Sequence, residues 1–148
     1  MTTDEVRQRR FVFESPIQIR YNDIDTNGHV NNGVYHSYYD MGRLGYFDKV
    51  FHGNPFGENR NIIIAQVNTT YLREVFKKDV VSVRSTIIRW GNSSFDMLQG
   101  LFRQTADGEE LVSFNVTTFV SLLYKKPSPV PQEWKELVDA YESMYSTI

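Results

Sequence analysis

The chain has 148 residues, of which 41% are hydrophobic and 23% charged, and its formal net charge is -2. That is enough for one domain, residues 1–148, with an apolar core, and too little for a second; a balance without basic excess makes nucleic acid an unexpected partner. The absence of cysteine removes disulfides, thiolate metal sites and thiol nucleophiles together, and suits a reducing, cytoplasmic setting.

Taken in chain order, the polar start Met1-Thr2-Thr3-Asp4-Glu5 predicts no targeting segment, and no apolar run approaches the roughly 20 residues a membrane helix needs. Residues 11–21 read as a strand, with Ile17, Ile19 and Tyr21 alternating against Gln18 and Arg20, and Pro16 puts that strand at a sheet edge or a bend. Residues 33–50 read as a helix: Val34, Tyr38, Met41 and Gly45, beside Tyr35, Tyr39, Gly42 and Tyr46, recur at helical spacing on a broad face. An internal glycine costs a helix up to about 1 kcal/mol against alanine, so Gly42 and Gly45 predict that a wrapped sheet approaches this backbone closely.

Residues 52–60, with Gly53, Pro55 and Gly57, read as a loop. Residues 62–72, 80–90, 95–104 and 111–124 are rich in β-branched and aromatic side chains with two-residue alternation, which predicts four long strands. Short links at residues 90–94 and 106–109 make the last three an antiparallel meander. Each strand of a dozen residues spans about 40 Å, long enough to curl around a helix. The Pro-rich stretch from Pro127 to Pro131 stops the last strand, Pro131 can occupy the first turn of a helix, and Trp134, Leu137, Val138 and Tyr141 mark its apolar face. The order strand, helix, four strands, helix predicts an α+β fold with a helix on an antiparallel sheet.

Between the first strand and the first helix lies the richest chemistry in the chain, Asp23-Ile24-Asp25-Thr26-Asn27-Gly28-His29-Val30-Asn31-Asn32-Gly33-Val34-Tyr35-His36. Each polar residue here also has an ordinary structural reading. Asp23 and Asp25 can cap turns, His29 can pack within the loop, Asn31 or Asn32 can cap the helix, and His36 can lie on its surface. Asp23, Asp25 and His29 lack a recognised ligand spacing, so no metal is expected.

Arg20-Tyr21-Asn22-Asp23-Ile24-Asp25, Gly28-His29-Val30-Asn31-Asn32, Tyr71-Leu72-Arg73, Asp79-Val80-Val81, Trp90-Gly91-Asn92-Ser93-Ser94-Phe95 and Pro129-Val130-Pro131 together resemble the hotdog-fold acyl-CoA thioesterases of the 4-hydroxybenzoyl-CoA thioesterase type. The resemblance implies a five-stranded curved antiparallel sheet wrapped around a central helix, plus a C-terminal helix, and a homodimer or homotetramer with its active sites at a subunit boundary. It implies hydrolysis of an acyl-CoA or acyl-carrier-protein thioester, with coenzyme A belonging to the substrate and no other cofactor.

Such a reaction needs a group that delivers water or attacks the acyl carbon, and a donor for the carbonyl oxygen. By the resemblance Asp25 is the working carboxylate, as general base or as nucleophile. The segment is similar also to the Asp-x-Asn-x-His run of acyl-ACP thioesterases, which adds Asn27 and His29 as catalytic or supporting residues. Unpaired N–H groups at the helix start, near Asn32 and Gly33, suit the oxyanion, and Tyr35, Tyr39, Phe47 and Ile64 are candidate acyl-pocket lining. Asp40 is a reserve carboxylate, because other hotdog branches place theirs on the central helix. Arg73, Lys77, Lys78, Arg89, Lys125 and Lys126 are available cations for the coenzyme phosphates. Two other readings stay open: an acyl-CoA-binding or regulatory module without turnover, and an acyl-CoA hydratase or dehydratase.

Overall fold

The alternating stretches pair into one curved antiparallel sheet in the computed structural model, which describes residues 1–52 and 58–144. Its strands are β1 (Phe13–Ile17), β2 (Arg60–Tyr71), β3 (Val81–Trp90), β4 (Ser94–Thr105), β5 (Gly108–Leu123) and the two-residue β6 (Lys126–Pro127). They run in the order β1-β3-β4-β5-β2, with β6 against β5, so that β3, β4 and β5 form the expected meander. Of the predicted loop at 52–60, Gly53, Pro55 and Gly57 lie outside the described residues.

Helix α2 (Tyr35–Phe51) lies along the concave face because its glycines let the sheet come close. A Cβ on Gly42 would stand 2.5 Å from Val83 Cγ1 and 2.9 Å from Gln99 Nε2, and one on Gly45 would stand 3.0 Å from Phe13 Cζ. Around the first half of α2, Tyr35, Tyr38 and Tyr39 pack with Ile17, Val30 and Val75. Around its second half, Tyr46, Phe47 and Phe51 pack with Phe95, Phe119 and Trp134, the last from α3 (Gln132–Ser143).

The structure departs from the expectation in several places, each with a local cause. The first strand ends at Ile17 rather than residue 21, because the Asp23 carboxylate accepts the Arg20 backbone N–H at 2.8 Å and winds Tyr21–Asp23 into a 3-10 turn. A short helix α1 (Thr3–Gln8) was not expected. Thr2 and Glu5 form a reciprocal capping box at its start, and its Val6 is buried against Leu98, Phe102 and Phe114 on the other face of the sheet. Met41 is 51% exposed, and Arg43 takes a buried place instead, donating to Gln99 Oε1 at 2.9 Å and Thr117 Oγ1 at 3.0 Å and pairing with Asp40. Pro131 is the cap residue of α3 rather than part of its first turn. Among the described residues no helix is long and apolar enough to cross a membrane.

Candidate active site

Residues 23–31 close on themselves before α2 begins. Asn31 N–H donates to Asp23 O at 2.9 Å, Asp25 N–H to His29 O at 2.8 Å, and Gly28 N–H to Asp25 O at 3.1 Å. Gly28 supplies the positive φ of 83° this turn needs. A second set of contacts holds the loop to residues 75 and 76: Val30 N–H donates to Val75 O at 2.7 Å, and the His29 ring meets Phe76 edge to face at 5.3 Å.

Within the loop the two aspartates have different work. Asp23 is 2% exposed and accepts from Arg20 and, at 2.7 Å, from the Tyr38 hydroxyl. Burial opposes its charge, but the Arg20 N–H, the Tyr38 hydroxyl and the Arg20 guanidinium outweigh it and hold the carboxyl below its usual range. Asp25 commits only one oxygen. Its Oδ1 accepts the Asn27 N–H at 2.9 Å and the His29 N–H at 3.4 Å, while Oδ2 has no hydrogen bond among the described residues. The turn-forming role therefore leaves the second oxygen of this carboxylate uncommitted.

The helix start separates Asn32 from Gly33. Asn31 Oδ1 accepts the Gly33 N–H at 2.8 Å, so Asn31 is the cap of a 3-10 turn, Asn32–Val34, that leads into α2. Gly33 is thus a correction to the sequence-based expectation: its N–H is taken, and it does not line the cleft described next. Asn32 N–H has no acceptor among the described residues. Its carbonyl is held from two sides, by Tyr35 N–H and by the Tyr71 hydroxyl at 3.0 Å.

These groups open onto a cleft of about 630 Å³ lined by Asp25, Asn27, His29, Asn32, Tyr35 and Tyr71, together with Val30, Leu72, Arg73 and Glu74. His29 Nε2 lies 3.4 Å from Glu74 Oε2. Five of the six expected site residues, all but Gly33, therefore share one cavity. Tyr71 and Glu74 were not expected there. They stand some forty residues away in sequence and arrive because β2 ends beside the loop; Tyr71 lies in one of the segments that carry the resemblance, but nothing local gives it or Glu74 a place at the site.

Other candidates lie elsewhere. Tyr39 is fully buried with its hydroxyl on Ser113 Oγ at 2.7 Å, Phe47 belongs to the second aromatic cluster, and Ile64 is 48% exposed on β2. His36 is on the helix surface. Asp40 is engaged by Arg43. Of the cations, Arg73 is at the cleft and 3.5 Å from Glu110, Arg89 is held by Asp96 at 2.7 Å, and Lys77 and Lys78 form the turn closed by Asp79 and Phe76.

A family model described as the thioesterase-like superfamily matches residues 19–138. Among solved structures, a thioesterase from Thermus thermophilus complexed with coenzyme A and zinc is 26% identical, with a TM-score of 0.74 over 87% of this chain and 98% of that one. A mutant 4-hydroxybenzoyl-CoA thioesterase complexed with 4-hydroxybenzoyl-CoA is 20% identical, with a TM-score of 0.77 over 85% and 97%. A thioesterase-superfamily protein from Jannaschia sp. is 22% identical, with a TM-score of 0.77 over 91% and 86%. The last two are likenesses of fold. No curated protein matches the sequence.

Proposed function

The chain belongs to the thioesterase-like superfamily and is a thioester hydrolase, and we propose that it cleaves an acyl-CoA or acyl-carrier-protein ester to the free acid in the cleft of Asp25 and Asn32. One observation carries the assignment of residues: Asp25, with a carboxylate oxygen, and Asn32, with a backbone N–H, each free of hydrogen bonds among the described residues, line one cavity. A thioester carbonyl seated on Asn32 N–H has its developing negative charge met by that donor and by the positive end of α2. Asp25 Oδ2 then takes the proton of an attacking water, or itself attacks the carbon to give an acyl anhydride that water opens. In either course the carbon–sulfur bond breaks and the thiol leaves with a proton. Asn27 and His29 border the same carboxylate, and the His29 contact with Glu74 sets the imidazole at the cleft wall.

The bound coenzyme A and 4-hydroxybenzoyl-CoA of the two structural relatives support a coenzyme A ester as substrate. The cleft takes in Tyr71 at the end of β2, and among the described residues β2 pairs with β5 alone. Its Ile63, Ile64, Val67 and Tyr71 are 49%, 48%, 38% and 40% exposed. A long, unpaired, apolar edge is a template for another strand, so a second copy of this chain joining at β2 is the assembly we propose, with a tetramer built from such pairs as its extension.

The test is release of free thiol from a panel of acyl-CoA esters of varied length. The wild-type protein turns over at least one class, and Asp25→Asn lowers that rate by about 100-fold or more, the lower range for loss of a positioned base. Retention of most of the rate in the folded variant removes Asp25 from the chemistry.

A further inference from the structure

Four tyrosines on or against α2 have their hydroxyls committed. Tyr38 donates to Asp23 at 2.7 Å, Tyr39 to Ser113 at 2.7 Å, Tyr46 to Glu142 at 2.8 Å and Tyr71 to the Asn32 carbonyl at 3.0 Å. Tyr35 breaks the pattern. It is 2% exposed, and its hydroxyl makes no hydrogen bond among the described residues. Nor is that oxygen sealed away, since the unpaired side-chain atoms without solvent contact among the described residues are Arg60 Nη1 and Ser121 Oγ. The cavity that Tyr35 lines is the active-site cleft.

The ring itself is fixed. It meets Tyr71 edge to face at 5.0 Å, lies tilted against Tyr38 at 6.3 Å, and packs with Val30 and Val75. Burial, helped by the Tyr71 hydroxyl, pushes the phenol up to about 12, so at neutral pH it is an uncharged O–H able to donate and to accept. Asn32 is exposed while Tyr35 is buried, which places the free backbone donor at the mouth of the cleft and the free hydroxyl on its floor. An acyl group that runs from a carbonyl at the mouth towards the floor meets that hydroxyl.

We propose that Tyr35 is a specificity-determining residue whose hydroxyl hydrogen-bonds a polar substituent of the acyl group, so that the preferred substrates are acyl thioesters bearing a hydroxyl or carbonyl group rather than plain alkyl esters. A rigid, buried hydroxyl left unpaired by an unsubstituted acyl group disfavours that complex, which is how a site built for a polar group rejects its apolar analogue. The remaining lining agrees, because beside Val30 and Leu72 it is polar or charged. The inference rests on the hydrolase reading of the cleft given above.

The experiment compares kcat/KM for butyryl-CoA against 3-hydroxybutyryl-CoA and for benzoyl-CoA against 4-hydroxybenzoyl-CoA, in wild type, Tyr35→Phe and Asp25→Asn. The expected result is a preference of tenfold or more for the hydroxylated member of at least one pair. In Tyr35→Phe that preference disappears, through loss on the hydroxylated ester together with any gain on the plain ester that no longer leaves a hydroxyl unpaired. The absence of any preference in wild type overturns the proposal even if the variant does not fold. A preference that survives Tyr35→Phe, or an equal loss on both members, overturns it as well. If Asp25→Asn is inactive in those cases, the hydrolase site stands and the role of Tyr35 alone falls; if Asp25→Asn keeps the wild-type rate, the site assignment beneath it falls too.

Discussion

The two halves of α2 are anchored by different forces. Around its first half the contacts are directed hydrogen bonds: Tyr38 to Asp23, Tyr39 to Ser113, and Tyr71 to the Asn32 carbonyl. Around its second half rings on rings predominate, with Phe47 against Phe119 at 5.5 Å and Phe95 stacked on Phe119 at 5.2 Å, beside one directed bond from the Tyr46 hydroxyl to Glu142. Hydrogen bonds fix angle and register within tenths of an ångström, whereas aromatic packing supplies non-directional burial. The end that carries the proposed carboxylate and N–H draws on the first, and the far end draws chiefly on the second.

The sharpest way to break this division is a pair of substitutions with opposite outcomes. Phe47→Ala removes a large buried ring and is expected to cost about 3–5 kcal/mol of stability, read by denaturant unfolding, with turnover per folded molecule unchanged. Asp25→Asn keeps an Oδ1 acceptor for the Asn27 and His29 N–H groups, so its unfolding midpoint stays near wild type while turnover collapses. A Phe47→Ala protein that loses rate at full folding would merge the two halves into one functional unit.

Smaller effects sharpen the boundary. Gly42→Ala forces a methyl group against Val83 and Gln99 and is expected to destabilise by about 1–3 kcal/mol, as overpacking does, measured by thermal unfolding. Tyr71→Phe deletes one hydrogen bond to the Asn32 carbonyl, worth about 0.5–1.5 kcal/mol. The expected loss is therefore about two- to tenfold in kcat with KM little changed, which steady-state kinetics separates. Last comes acid sensitivity. Because Asp23 has its pKa lowered by folding, its contribution is complete above the unfolded-state value near 3.9, and it fades as pH falls through that value towards the lower folded one. Asp23→Asn should flatten that part of the stability profile.

Much of the architecture could be read from local pattern. Alternation along residues 80–124 and the short links gave the meander, and Gly42 and Gly45 marked where strands press on the helix. The capping box of Thr2 and Glu5 was legible too, but a helix of six residues has too little periodicity to stand out. At the site, spacing from Asp25 brought the reading to Asn32 and Gly33 without separating them, because that depends on the Asn31 side chain turning back to take one N–H. The segment holding Tyr71 was noticed, but its place at the site, like that of Glu74, depends on where β2 ends relative to the loop, which is a tertiary fact. Arg43 was passed over because charge usually means surface, and here two polar side chains of the concave face, Gln99 and Thr117, receive it together with Asp40 on its own helix.

That sheltered guanidinium bears on how mutational scans of this protein are interpreted. Asp40 is its anionic counterpart among the described residues, so neutralising Asp40 strands a positive charge beneath the helix and disturbs Gln99 and Thr117 with it. An assay of rate alone would register the resulting loss as catalysis. Reading every Asp40 variant by melting temperature alongside activity separates a collapsed scaffold from a missing reagent.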